Sequence, residues 1–150
     1  MVKKIIVAII LFVAYKIIKW ILYIKKCENY WIALYNLQRE YENFFKLEGF
    51  ELKEQNIYDK NKIVEHEYIK KIDIQQETFE KYADSTTLKL KLFFDSLKYK
   101  NELIKQPWSN QEVYKITLII KNIETKIQVL NTYNETEKIY KISIILKSEL

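Results

Sequence analysis

A chain of 150 residues at average usage would carry roughly ten glycines and seven prolines, and this one carries Gly49 and Pro107 alone. Tight turns in small sheet proteins draw heavily on both residues, so the scarcity argues against a β barrel. One glycine cannot write a G-x-G-x-x-G or Walker-type loop, which excludes a Rossmann or P-loop enzyme. Cys27 is the single cysteine, so there is neither a disulfide framework nor a thiolate metal site. His66 is the single histidine. His66-Glu67 opens an H-E-x-x-H pattern that Lys70 closes wrongly, and no G-x-S-x-G elbow presents a serine. His66 is therefore read as a solvated surface residue. Arginine is reduced to Arg39, and alanine to Ala8, Ala14, Ala33 and Ala83. Residues with GC-rich codons are depleted while Ile, Lys, Tyr and Asn abound, which points to an AT-rich genome. The net charge of +5 follows from that bias. With one arginine to form base and phosphate forks, and lysines interleaved with acids, nucleic-acid binding is disfavoured.

What the chain does have is a long apolar run. Ile5 to Ile24 reads IIVAIILFVAYKIIKWILYI, flanked by Lys3-Lys4 and Lys25-Lys26. At 1.5 Å per residue it spans about 30 Å, the thickness of a bilayer's hydrocarbon core. The run makes residues 1–26 a membrane anchor with its span at about 5–24, and leaves 27–150 as the body. Lys16 and Lys19 lie inside the span, three residues apart and so on one helix face. Lys19 snorkels to the nearby boundary, while Lys16 sits deeper, about 12 Å from Ile24. Tyr15, Trp20 and Tyr23 suit the interface. Lys16, Lys19, Trp20, Tyr23, Lys25 and Lys26 are thus the candidate membrane or partner contacts, and an acidic partner in a membrane complex is the sharper reading of the two inner lysines. No small-x-small cleavage site follows the run, and Lys25-Lys26 before Cys27 rule out a lipobox. The lysine excess on the C-terminal flank places the body on the cytoplasmic or matrix side.

The body reads as helical throughout. Tyr30, Ala33, Leu37, Tyr41, Phe44 and Phe45 step by three and four, and Gly49 caps that helix. Asn56–Asn61 reads as a turn, followed by a second helix over about Asn61–Ala83. Asp84-Ser85-Thr86 offers an N-cap for a third helix carrying Leu90, Phe94, Leu97 and Glu102. The Leu88–Leu92 alternation is strand-like but falls in helical context. Pro107 breaks the chain, and Ser109 or Asn110 caps a last helix reaching Leu150. Its seam is Val113, Ile116, Ile120, Ile123, Ile127 and Leu130, in the heptad steps of a coiled coil. Either the core of an antiparallel bundle or an exposed surface for a partner or for self-association uses such a seam. The expected fold is all-α: one transmembrane helix, then a small antiparallel helical bundle ending in a long heptad helix.

Several of these segments resemble the LemA family of bacterial membrane proteins. Tyr35-Asn36-Leu37 looks like its Y-N-x-L signature beyond the membrane helix, and Ile123-Glu124-Thr125-Lys126-Ile127 is similar to I-E-x-[KR]-I. Val113, Ile116 and Ile120 precede it in register. Tyr133-Asn134 is followed by Tyr140, as in Y-N-x5-Y-N, with Lys141 in place of the second Asn. The resemblance implies one N-terminal membrane helix and an antiparallel helical bundle, and it implies no catalytic residues.

These readings converge on a non-enzymatic, single-pass membrane protein with a scaffold or interaction domain. No cofactor, metal or small-molecule substrate is expected, and the partners are membrane lipid and other proteins or further copies of the chain. The membrane is a bacterial cell membrane or, for an organelle-encoded accessory subunit of a large complex, the mitochondrial inner membrane. A basic ribosome- or RNA-associated protein is a further alternative. A membrane-linked hydrolase would need Glu65, Glu67 and Asp73, with Glu65 and Asp73 on one helix face.

Overall fold

A computed structural model describes residues 1–58, 63–75, 78–107 and 111–148. Two helices and six strands follow in the order α1 (Val2–Leu47), β1 (Glu51–Tyr58), β2 (Ile63–Lys71), α2 (Phe79–Ser96), β3 (Asn101–Pro107), β4 (Glu112–Ile120), β5 (Ile123–Asn134) and β6 (Ile139–Ser148). The strands form one antiparallel sheet ordered β1-β2-β6-β5-β4-β3. The body is therefore α+β. The expected all-α bundle is wrong, and with it the helical body implied by the LemA resemblance. The second helix is β2 from Ile63 on. The third begins at Phe79, so Asp84-Ser85-Thr86 lies inside α2 instead of capping it, and Glu102 belongs to β3. The last helix is three strands, and its caps Ser109 and Asn110 lie outside the described residues.

The false heptad has a simple geometric origin. β4 and β5 pair so that Val113 faces Leu130, Ile116 faces Ile127 and Ile120 faces Ile123. A hairpin closed by two residues reflects the sequence about its turn. Apolar residues spaced three and four on one side of that centre reappear in mirror order, four and three, on the other. The turn is Lys121-Asn122, both with positive φ (50° and 64°), the conformation of a type I′ turn. Ile116, Ile120, Ile123 and Ile127 face the helices, while Val113 and Leu130 are cross-strand partners on the opposite face. The alternation that strands need was present: Tyr114, Ile116, Leu118 and Ile120 are all buried.

Both helices pack on one face of the sheet. On the buried stripe of α1, Tyr30, Leu34, Leu37, Tyr41, Phe44 and Phe45 meet Tyr68, Ile142, Ile144, Leu146 and the inward residues of β4 and β5 in one core. Each such side chain contributes about 1.5–3 kcal/mol on burial. A polar lattice holds α2 down. The Tyr114 hydroxyl donates to Asp84, and Lys105 donates to Glu80 at 2.7 Å and Asp84 at 3.0 Å, with Glu112 at 3.3 Å. Across the sheet, Tyr140 donates to Asn131 Oδ1 (2.5 Å), and Asn131 donates to the Glu112 carbonyl (3.2 Å). The edge strands carry charge, with Glu51, Lys53 and Glu54 on β1 and Glu102 and Lys105 on β3, and a bulge interrupts β1 between Leu52 and Glu54. Charged, irregular edges resist further strand pairing.

The turns explain how a sheet forms without glycine. Gly49 does close α1: its φ is +87°, its N–H reaches the Lys46 carbonyl, and Phe50 N–H reaches Phe45 O at 2.9 Å. Phe50 packs edge-on against Phe45, completing a Schellman motif. α2 ends in the same way, with Lys98 N–H on Asp95 O and Tyr99 N–H on Phe94 O, but Lys98 holds the left-handed position at φ 64°. Lys121, Asn122 and Lys138 do likewise in the β4–β5 and β5–β6 turns. An L-residue there costs roughly 1–2 kcal/mol. Lys98→Gly should stabilise the protein by about 1 kcal/mol and raise its melting temperature by a few degrees. Gly49→Ala should lower it by at least as much, because its Cβ would also stand 3.3 Å from Lys70 Cε.

Candidate functional site: the anchor helix and its junction with the sheet

α1 runs unbroken through the apolar segment and into the core. Its span has a mean hydropathy of 2.4, with none of it buried in the protein, so it is long and apolar enough to cross a membrane. Past the apolar run the same helix enters the core of the body. Tyr30 is wholly buried, and its hydroxyl lies 2.6 Å from Thr125 Oγ1 on β5, also wholly buried. Six residues separate Ile24 from Tyr30, about 9 Å of helix. The domain thus begins where the span ends.

The membrane candidates cluster on this helix. Lys16 Nζ lies over the Phe12 ring at 5.5 Å from its centroid, and Lys19 over Tyr15 at 6.0 Å. Side chains on a helix lean toward its N-terminus, so each ammonium rests on the ring four residues earlier. Such cation–π contacts partly offset the loss of water. Trp20 and Tyr23 are exposed. Lys25 and Lys26 line a cavity of about 330 Å³ with Leu22, Asn29 and the β4–β5 turn, Lys121 and Asn122. Sequence reading missed that last pair, because only strand pairing carries the turn to the helix. Cys27 is a half-buried free thiol beside this junction. The six seam residues lie on the β4–β5 hairpin and not on a helix: Val113, Ile116, Ile120, Ile123 and Ile127 are buried, and Leu130 is half-buried.

His66 is also corrected: it is 5% exposed, not a surface residue. β2 alternates Val64-Glu65-His66-Glu67-Tyr68, and its even residues face α1. His66 Nδ1 is 2.5 Å from the Tyr41 hydroxyl, with Tyr68 stacked on Phe45 beside them. Burial pushes the imidazole below its ordinary pKa, against a smaller opposing pull from Glu42, and pushes both tyrosines up. The ring is neutral, with its proton on Nε2 when Tyr41 donates to Nδ1. Among the described residues no carboxylate is hydrogen-bonded to the pair, and both side chains pack in the core.

The opposite face of the sheet is open. Glu65, Glu67, Lys115, Lys126, Lys141 and Lys147 alternate there, with Glu67 and Lys141 paired at 3.2 Å. A shallow cavity of about 310 Å³ lies among Ile63, Gln106, Lys115, Lys126, Gln128 and Lys147. The hydrolase arrangement is not assembled. Glu65 and Glu67 lie on a strand, not a helix, while Asp73 lies beyond its end, paired with Lys138 at 2.8 Å. Among the described residues, no three His, Cys, Asp or Glu side chains converge as a metal site would require.

No protein-family model, curated protein or solved structure matches the chain.

The Tyr41–His66 pair has a measurable signature. A histidine depressed in the folded state leaves the unfolded chain binding the proton first as pH falls. Its contribution to stability is complete above about pH 6.5 and is lost on acidification below it. Denaturant melts of the intact protein should show stability falling as the pH drops below about 6.5, and His66→Asn should flatten that slope. Tyr41→Phe should destabilise by about 1–3 kcal/mol by stripping a buried acceptor of its donor.

Proposed function

We propose that the protein is a non-enzymatic, single-pass membrane protein whose α+β domain works as an interaction module held at the bilayer surface. One observation carries the reading: the exposed apolar half of α1 and the core-forming half of α1 are a single uninterrupted helix. Such a helix positions a domain against the membrane without a flexible linker. The body lies on the cytoplasmic or matrix side, following the lysine excess at positions 16, 19, 25 and 26 over 3 and 4. The membrane is that of a bacterial cell, a plan of one span and a following body that the LemA resemblance also implies.

A second reading, an accessory subunit of a larger membrane complex, is favoured by Trp31, Ile32 and Tyr35. These are 40%, 54% and 60% exposed on the outer side of α1, just past the span. Aromatic residues are enriched at protein interfaces, and a partner beside the helix would cover them. In this reading an organelle membrane serves equally well.

Alkaline carbonate washing tests the anchor. The protein should stay in the membrane pellet, and release into the supernatant would sink the proposal. Mild-detergent extraction followed by native sizing separates the two readings. The accessory-subunit reading expects an assembly far above the 18.3 kDa chain mass, which Trp31→Ala with Tyr35→Ala should dissolve while leaving membrane retention intact.

A further inference from the structure

The junction cavity has a chemistry of its own. Its basic side chains are Lys25 and Lys26 from the end of the span and Lys121 from the β4–β5 turn, and no carboxylate lines it. Leu22 forms its apolar side toward the span, and Asn29 and Asn122 add amides. All three lysines are exposed, and none is paired with an acid among the described residues. Lys121 is also held in place. Both turn residues are in the left-handed region, and the hairpin is fastened to α1 through Tyr30 and Thr125 at 2.6 Å. The cluster is therefore a built concavity and not a loose basic tail.

We propose that this cavity binds the headgroup of an anionic phospholipid from the bilayer that α1 crosses. The proposal rests on the anchor reading, which sets the cavity at the level of the headgroups. Three lysines lining about 330 Å³ match a phosphate diester of net negative charge. A phosphocholine lipid brings its own cation, so its headgroup offers the same lysines no net charge. Leu22 lies alongside the glycerol and upper acyl chain. A soluble phosphate would leave that apolar wall uncovered, which favours the lipid as the source. Because Lys121 comes from the sheet and Lys25 and Lys26 from the helix, the headgroup clasps the domain to its own anchor.

The full chain is reconstituted into nanodiscs of phosphatidylcholine alone or with one part in five phosphatidylglycerol, and the lipid retained on the protein is measured by native mass spectrometry. Phosphatidylglycerol should be enriched over its bulk share. Lys121→Gln should lower its apparent affinity about fivefold, the effect of one lysine near a charged surface. Lys121→Gly, which suits the positive φ, should do the same with the turn preserved. Lys53→Gln, an equal charge change on β1, should leave retention unchanged. Equal retention of both lipids, or an equal loss in Lys53→Gln, overturns the proposal. So does displacement of phosphatidylglycerol by millimolar inorganic phosphate, which would assign the cavity to a soluble anion. Failure of the protein to enter either nanodisc strikes the anchor reading; entry without lipid preference strikes this inference alone.

Discussion

The structure depends on one helix whose two halves are built for different surroundings. The N-terminal half of α1 offers apolar side chains on every face, as a lipid-exposed helix must. The C-terminal half narrows to a single stripe from Tyr30 to Phe45 that the sheet covers. Remove that stripe and the sheet has α2 alone to bury its inner face, with the Tyr68, Ile142 and Ile144 row left open. The two ends of the packed half are fastened differently. Tyr30 meets Thr125 near the membrane, and the Gly49 Schellman motif turns the chain into β1 at the far end. The core-forming stripe and the apolar run are thus parts of the same 46-residue element.

What could be read from the sequence followed the range of the forces involved. α1 was legible because its determinants are local: apolar residues at helical spacing and a glycine where the left-handed cap falls. The sheet was not, because its determinants are pairings between distant strands. Glycine scarcity argued against tight turns, yet Lys98, Lys121, Asn122 and Lys138 hold the left-handed positions at some cost in strain. The mirror symmetry of the β4–β5 hairpin then imitated a heptad. His66 was misplaced for a related reason. The failed motifs around it said nothing of burial, and on a strand it turns inward while Glu65 and Glu67 point the other way.

The same limit governs the candidate site. The lysines and aromatics of the span were evident one by one from their positions relative to a bilayer. That Lys121 would stand beside Lys25 and Lys26 depends on the two-residue turn, the register that pairs Ile120 with Ile123, and the packing of Tyr30 on Thr125. A function carried by that junction is one of position and contact. It needs a rigid helix, an anionic neighbour and no reacting group.

The central claim is that α1 is one continuous rod from the span into the core. Hydrogen exchange of the intact protein in lipid nanodiscs tests it most directly at Lys25–Tyr30, where the helix passes from lipid to sheet. Continuity predicts that these amides exchange as slowly as those of the buried stripe that follows. Fast exchange confined to this segment, between two protected stretches, would reveal a hinge and contradict a domain held at fixed height by its own anchor.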